Sequence, residues 1–243
     1  MNDISKEHLS FYNENGYCVV EGILSPLERE KYIREAERIV PEQEVKFAPV
    51  MNPDRKYPVF HELLALPPIV HCLEMLLNSK VCGLQSMFYY KPPGALGRDL
   101  HQDNFYAQAE QGAYIGTWLT LEDTDRENGG LIVYPGSHRE PLQDIVKDES
   151  RLATNTGDFK NDRGLMCAVP PGYEKKYLTV SAGSAVFIHA YLIHGSEENL
   201  SKTRLRRVFA GHYIKEGSGF RPGTHAKRQY INLYPAREKT KRQ

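Results

Sequence analysis

The spacing of apolar residues changes character near residue 80. Before that point hydrophobic positions fall at helical intervals. Ser5 begins a short polar helix carrying Leu9, Phe11 and Tyr12, which Gly16 ends, and Tyr17-Cys18-Val19-Val20 is short and β-prone. Ser25-Pro26 supplies an N-cap followed by proline at the first helical position, and Glu28 completes a capping box. The helix that follows sets Tyr32, Ala36, Ile39 and Val40 on one face. Residues 41–60 are rich in proline and charge and read as a loop over a pocket mouth. Pro67-Pro68 then opens a helix with Ile69, Leu73, Leu76 and Leu77 facing inward.

From Val81 onward the period falls to two, the signature of strands. Val81–Tyr90, Gly112–Leu121, Leu131–Tyr134, Tyr177–Val180, Ser184–Ile188, Tyr191–Ile193 and Arg206–Ile214 are separated by turn signals such as Lys91-Pro92-Pro93-Gly94 and Glu127-Asn128-Gly129-Gly130. Another strand is expected around His101 and Asp103. Residues 139–176 are polar and without periodicity, which suits a functional loop or lid. The last stretch, with Lys227, Arg228, Arg237, Lys239, Lys241 and Arg242, reads as a solvated basic tail.

Helices first and short strands afterwards predict a mainly β protein, an antiparallel sandwich or jelly roll with helices packed outside. One domain spans 1–243: a helical buttress over 1–80, a β-core over 81–214 with the lid-like insert, and the tail over 215–243. Lys+Arg and Asp+Glu are equal at 31 each, so no global field points to nucleic acid or membrane. The N-terminus lacks a signal-peptide layout and no apolar run approaches a membrane span. Cys18, Cys72, Cys82 and Cys167 share no metal-type spacing and read as reduced thiols of a cytoplasmic protein.

The candidate chemistry centres on Leu100-His101-Gln102-Asp103-Asn104-Phe105. On a strand, residues two apart share a face, so His101 and Asp103 can meet at one ion. An imidazole and a carboxylate are two thirds of the facial triad of non-haem Fe(II) oxygenases, and the third ligand is a histidine from elsewhere. His194 in Ile193-His194-Gly195-Ser196 is well placed, with His189 the competitor. His138 suits a turn, while His8, His61, His71 and His225 have no partners in the pattern. His212 is in phase with Arg206, as pocket wall or as core histidine. Gln85 shares a face with Met87, and Phe105 flanks the ligand pair, which makes both candidates for substrate contact. Asn128 is read as a turn residue.

Taken in order, Met87 to Lys91-Pro92-Pro93, His101-Gln102-Asp103, Trp118, Glu127-Asn128-Gly129-Gly130, Pro135-Gly136-Ser137-His138, and His194-Gly195-Ser196 with Asn199 and Arg206 resemble the phytanoyl-CoA dioxygenase family over residues ~8–214. That resemblance implies a double-stranded β-helix, a cupin-like jelly roll, and an oxygenase using Fe(II), 2-oxoglutarate and O2. It implies His101, Asp103 and His194 as iron ligands. Arg206 becomes the partner of the 2-oxoglutarate C5 carboxylate with Ser196 beside it, and Met87 and Trp118 line the cosubstrate pocket. Arg204 and Arg207 are the alternatives to Arg206, which is favoured as the first of an Arg-Arg pair opening a β-pattern. An aspartate at 103, where halogenating relatives carry a small residue, points to hydroxylation of a small-molecule substrate or a hydroxylase-like variant. The competing readings are a catalytically silent β-barrel that binds a metal or 2-oxoglutarate, and a cupin-like Zn or Mn enzyme.

Overall fold

The computed structural model describes residues 4–39, 49–147 and 164–234. Helix α1 (Lys6–Asn15) begins where Ser5 accepts the His8 amide and stops at Gly16, whose φ of 79° suits a residue without a Cβ. Helix α2 (Pro26–Ile39) carries the expected capping box: Glu28 accepts the Ser25 amide at 2.8 Å, while the Ser25 hydroxyl accepts the Glu28 amide. Tyr32 and Ala36 form its buried face. Part of the proposed loop over 41–60 is ordered instead, as a two-residue strand β2 (Val50–Met51), a 3-10 turn (Pro53–Arg55) and the start of helix α3 (Pro58–Leu64). Pro53 and Pro58 open these elements rather than breaking them, because proline loses nothing at a first helical position. Residues 40–48 lie outside the described residues.

Helices α3 and α4 (Pro67–Leu77) make Pro58–Leu77 the one stretch among the described residues long and apolar enough to cross a membrane by length and composition. Here the chain turns at Ala65-Leu66 ahead of Pro67, and Phe60, Leu63, Leu64, Ile69 and Leu73 are in the core.

Two sheets make the barrel. The larger has the order β1 (Tyr17–Val20), β9 (Ala185–His189), β4 (Tyr114–Thr120), β11 (Arg206–Lys215), β3 (Val81–Lys91) and β2. The smaller has the order β10 (His194–Ser196), β5 (Leu131–Val133), β8 (Lys176–Tyr177). Every pairing within them, among the described residues, is antiparallel, as the turn-rich pattern predicted. The larger sheet uses both faces. Its outer face packs Phe88, Leu119, Phe187, Phe209 and Tyr213 against the helices, with Phe60 and Phe209 stacked at 6.1 Å. Each such aromatic contributes about 1.5–3 kcal/mol by burial. Its inner face sends Trp118, Val186, Ile188 and Val208 toward Leu131 and Val133 of the smaller sheet.

Two sequence expectations are corrected here. Part of the 139–176 insert is a small antiparallel pair, β6 (Ile145–Lys147) with β7 (Leu165–Cys167), while 148–163, including Arg151, Lys160 and Arg163, lies outside the described residues. The segment after β11 is no solvated tail up to residue 234. Ile231 bridges to Gly83, Ile231 and Leu233 join the core, and Arg228 is buried. Apolar residues interleaved with the basic ones supply the docking face. Residues 235–243, with Arg237, Lys239, Lys241 and Arg242, lie outside the described residues.

Candidate active site

His101 and Asp103 converge by a different route from the one their spacing suggested. His101 is a single bridge residue, exchanging backbone hydrogen bonds of 2.9 and 3.0 Å with His194 at the end of β10. The chain then turns. Asp103 has helical torsions and opens the one-turn helix α5 (Asn104–Ala107), whose Asn104 amide donates to the Ala190 carbonyl. The Asn104 side chain locks this turn by bonding both polar backbone atoms of Ala109 at 2.9 Å. A histidine held by a sheet and a carboxylate on a helical turn therefore meet, with no regular strand between them.

One ligand atom from each of His101, Asp103 and His194 lies within 4.8 Å of the others. The nearest imidazole–carboxylate approaches are 3.5 Å from His101 Nε2 and 3.9 Å from His194 Nε2. Both Nδ1 atoms face backbone carbonyls, His101 toward Asp99 at 2.8 Å and His194 toward Leu192 at 2.9 Å. A carbonyl only accepts, so each Nδ1 carries the hydrogen and each Nε2 offers its lone pair to the centre. Burial, reinforced by His101, lowers the His194 pKa to about 4, so the ring is neutral at pH 7. Burial alone would raise the Asp103 pKa. The imidazoles of His212, His194 and His101 outweigh it and hold the carboxyl far below its usual range. Two neutral imidazoles and one ionised carboxylate on one side of a point are a donor set that fits a hard-to-borderline divalent ion such as Fe(II). The backbone leaves room for the carboxylate: a Cβ at Gly116 would stand 2.8 Å from Asp103 Oδ2.

The cavity at this centre, with about 530 Å³ of empty space including its open mouth, is walled by Met87, Tyr89, Trp118, Leu131, Ile188 and Ala210. Arg206, Ser196, Arg98 and His212 also line it. Arg206 is 2 % exposed, stands 5.7 Å from the Trp118 ring, and donates through Nη1 to the Gly129 carbonyl. Its Nε has no partner, and among the described residues it makes no ion pair. Burial lowers its pKa to about 10, which leaves it charged at neutral pH. A buried guanidinium with an unfilled donor calls for an anion. The alternatives are engaged elsewhere. Arg204 pairs with Asp125 and Glu127 at 2.8 and 2.6 Å, and Arg207 faces the helices, where it pairs with Glu122 and Glu37.

The Glu127-Asn128-Gly129-Gly130 turn is thereby tied to the site. Asn128, fully buried, bonds the Asp125 amide and the Asp123 carbonyl at 2.9 Å each, as a turn lock. A Cβ at Gly129 would meet the Glu197 carbonyl at 2.7 Å, which sets how closely the turn approaches the chain after Ser196. Ser196 accepts the Arg98 amide at 2.9 Å while lining the cavity.

The two substrate candidates from the sequence are not among the lining residues. Gln85 shares the inner face with Met87, but its amide is folded onto the Met87 sulfur at 3.6 Å. Phe105 sits on α5, 40 % exposed, with its edge against Tyr106, because the helical turn rotates it away. His189 packs on His138 and Tyr12 outside the centre. Tyr89, Leu131, Ile188 and Ala210 are lining residues that sequence patterning left without a role. His212 lines the cavity, the pocket-wall option of the two that its pattern left open, and Arg98, near the ligand pair in sequence, lines it as well. The phase of His212 with Arg206 on one strand was the available signal.

Comparison with known proteins accords with this geometry. The family model described as phytanoyl-CoA dioxygenase (PhyH) matches residues 12–208. The peroxisomal phytanoyl-CoA dioxygenase of Rattus norvegicus is 30% identical, over 87% of this chain and 69% of its own. The chain belongs to the phytanoyl-CoA dioxygenase family. Members of that family are Fe/2-oxoglutarate-dependent oxygenases, and this chain is an enzyme of that class. Two solved structures share its fold. The non-heme alpha ketoglutarate dependent carbocyclase SnoK from nogalamycin biosynthesis has a TM-score of 0.73 at 24% identity, covering 91% of this chain and 88% of its own. The epimerase SnoN, in complex with Fe3+, alpha ketoglutarate and nogalamycin RO, has a TM-score of 0.72 at 22% identity, covering 89% and 86%. Both place the barrel among cupin-like oxygenase folds.

Proposed function

We propose that this oxygenase hydroxylates, or otherwise oxidises, a C–H bond of a small metabolite or natural-product intermediate, with release of succinate and CO2. The observation that carries this reading is the arrangement of one cavity, with the His101–Asp103–His194 cluster and a buried Arg206 on its wall. His101, Asp103 and His194 would hold Fe(II). Arg206 would receive the far carboxylate of 2-oxoglutarate through paired hydrogen bonds, with the Ser196 hydroxyl beside it and Met87 and Trp118 as walls. The bound iron and 2-oxoglutarate supply oxidising power from O2. The chain's part is to hold the ligands, neutralise the buried anion and keep water off the reacting carbon through its apolar walls.

The span from Lys91 to His101 is short, and Arg98 at the cavity offers a cation to an acidic substrate. A cytoplasmic location is part of the proposal, supported by four cysteines that form no disulfide.

The test is anaerobic addition of Fe(II) and 2-oxoglutarate to metal-free protein, read by the visible metal-to-ligand charge-transfer band. A panel of small metabolites and acyl-CoAs then follows, with succinate formation and product mass as readouts. The band should appear and disappear in His194→Ala. Its absence from folded wild-type protein overturns the cosubstrate assignment, and turnover of an acyl-CoA alone overturns the small-metabolite assignment.

A further inference from the structure

Gln102 stands between two of the proposed metal ligands and does not line the cavity. It is 1 % exposed, and its amide is engaged on three sides. Nε2 donates to the Tyr191 carbonyl at 2.8 Å and to the Pro141 carbonyl at 3.3 Å, while Oε1 accepts the Gln143 amide at 2.8 Å. A carbonyl only accepts and a backbone N–H only donates, so a single orientation of the amide fits. Neither a carboxylate nor an apolar side chain could satisfy the same three partners.

The turn between β9 and β10 receives donors from all around the ligands. The Ala190 carbonyl accepts the Asn104 amide at 2.9 Å, the Tyr191 carbonyl accepts Gln102, and the Leu192 carbonyl faces His194 Nδ1 at 2.9 Å. Residues on either side of Asp103 therefore grip the turn that orients the His194 ring. The other two bonds of Gln102 go to residues 141 and 143, where the chain runs into β6. The far edge of the β6–β7 hairpin is fastened to the same segment. Its Cys167 amide donates to the Leu100 carbonyl at 2.9 Å, and the Gly164 amide just before β7 donates to the Asp99 carboxylate at 2.6 Å. Leu100 and Ile193, each immediately before a ligand histidine, share an apolar cluster with Ile145 of β6 and Cys167 of β7. The hairpin is thus seated on the residues that carry both histidines.

We propose that Gln102 is a positioning residue that holds the Asp103 and His194 segments together and links metal binding to the β6–β7 hairpin. Closing three ligands on an ion fixes residues 99–104 and the turn over 190–193, and these carry the hairpin's hydrogen bonds and its apolar seat. Metal then tightens the hairpin, and by reciprocity the hairpin tightens the metal. The proposal rests on the reading of His101, Asp103 and His194 as metal ligands.

Hydrogen–deuterium exchange of the full-length protein, metal-free and loaded with Zn(II), reads the link, and competition with a chelator gives the affinity. In wild type, peptides covering residues 143–147 and Leu165–Cys167 should exchange more slowly once Zn(II) is bound. Gln102→Met keeps the volume and removes the amide's hydrogen bonds. It should lose that protection and weaken Zn(II) binding about 10- to 100-fold, with the melting transition reporting whether it folds. Ile145→Ala, at a position outside the cavity wall, should weaken Zn(II) binding about 2- to 30-fold through the hairpin alone. Wild-type Zn(II) affinity in folded Gln102→Met overturns the proposal. If Gln102→Met does not fold, Ile145→Ala decides, and wild-type affinity there overturns the link. Zn(II) bound by wild type without added hairpin protection refutes the link alone, whereas wild-type protein that binds no Zn(II) refutes the ligand assignment and the link with it.

Discussion

Arg206 and Arg207 are neighbours on one strand, and their side chains enter opposite faces of the same sheet. Arg207 points to the helical side and is closed by two carboxylates, with Glu122 also accepting its amide at 2.6 Å. Arg206 points into the barrel, more deeply buried, and meets the Trp118 ring and a carbonyl but no carboxylate of the described residues. Both are hidden cations. One has its counter-charge built into the fold, while the other retains an unfilled donor beside a cavity. The same contrast separates the two faces at large. The outer face of β11 is an aromatic core against helices, and the inner face carries Arg206, Ala210 and His212 along a polar-edged cavity. Burial therefore does not distinguish structure from function here. Satisfaction of the buried charge does.

Several changes would break or sharpen this contrast. The largest effect is expected from His101→Ala, Asp103→Ala or His194→Ala, each of which should abolish the charge-transfer band and succinate formation while leaving a cooperative melt. Next, Arg206→Ala should weaken 2-oxoglutarate binding by about 2–5 kcal/mol, roughly 30-fold or more, measured by titrating the band. Arg207→Ala should do the reverse: cosubstrate binding stays unchanged, and stability falls by about 1–3 kcal/mol because Glu122 loses its buried partner. If both arginines changed cosubstrate affinity alike, the division between the faces would be wrong. Gly116→Ala should impair metal binding, since the added methyl meets Asp103 Oδ2 in the middle of a paired strand, and overpacking of this sort costs about 1–3 kcal/mol of stability. Equilibrium chelator competition and a denaturant curve separate the two effects.

The smallest effect is on pH dependence. His194 and His189 both have pKa values near 4 in the folded chain, held down chiefly by burial, against about 6.5 unfolded. Between those values the unfolded chain binds more protons, so stability is full above pH 6.5 and falls as pH drops toward 4. The slope approaches about 1.4 kcal/mol per pH unit for each ring. Denaturant midpoints of metal-free protein at pH 7, 6 and 5 should follow this trend, and His189→Gln should make the slope shallower. A flat profile would mean that these rings are solvated rather than buried.

Much of this molecule was open to reading from its residues, for local reasons. The Ser25–Glu28 box, the glycine after α1 and the two-residue period of β11 act over a few positions, so pattern alone locates them. The order of short motifs from Met87 to Arg206 was enough to suggest the family and the triad. Other features depended on packing across long sequence separations. Spacing suggested that His101 and Asp103 share a strand, whereas a bridge to His194 and a turn locked by Asn104 bring them together. The choice among Arg204, Arg206 and Arg207 depended on which carboxylates stood near each, and Glu37, Glu122 and Asp125 come from other parts of the chain. Phe105 was turned outward by a single helical turn that period-two reasoning could not register. Arg228 shows the difference most clearly. In the sequence it is one of several basic residues near the end, while in the fold it is buried and donates to the Tyr106 carbonyl on α5 and to the Arg221 carbonyl. Residue type and short-range period determined the elements and the chemistry on offer. Which charges were left unpaired, and beside which cavity, was decided when distant segments packed, because the environment of a charge is a property of its neighbours in space.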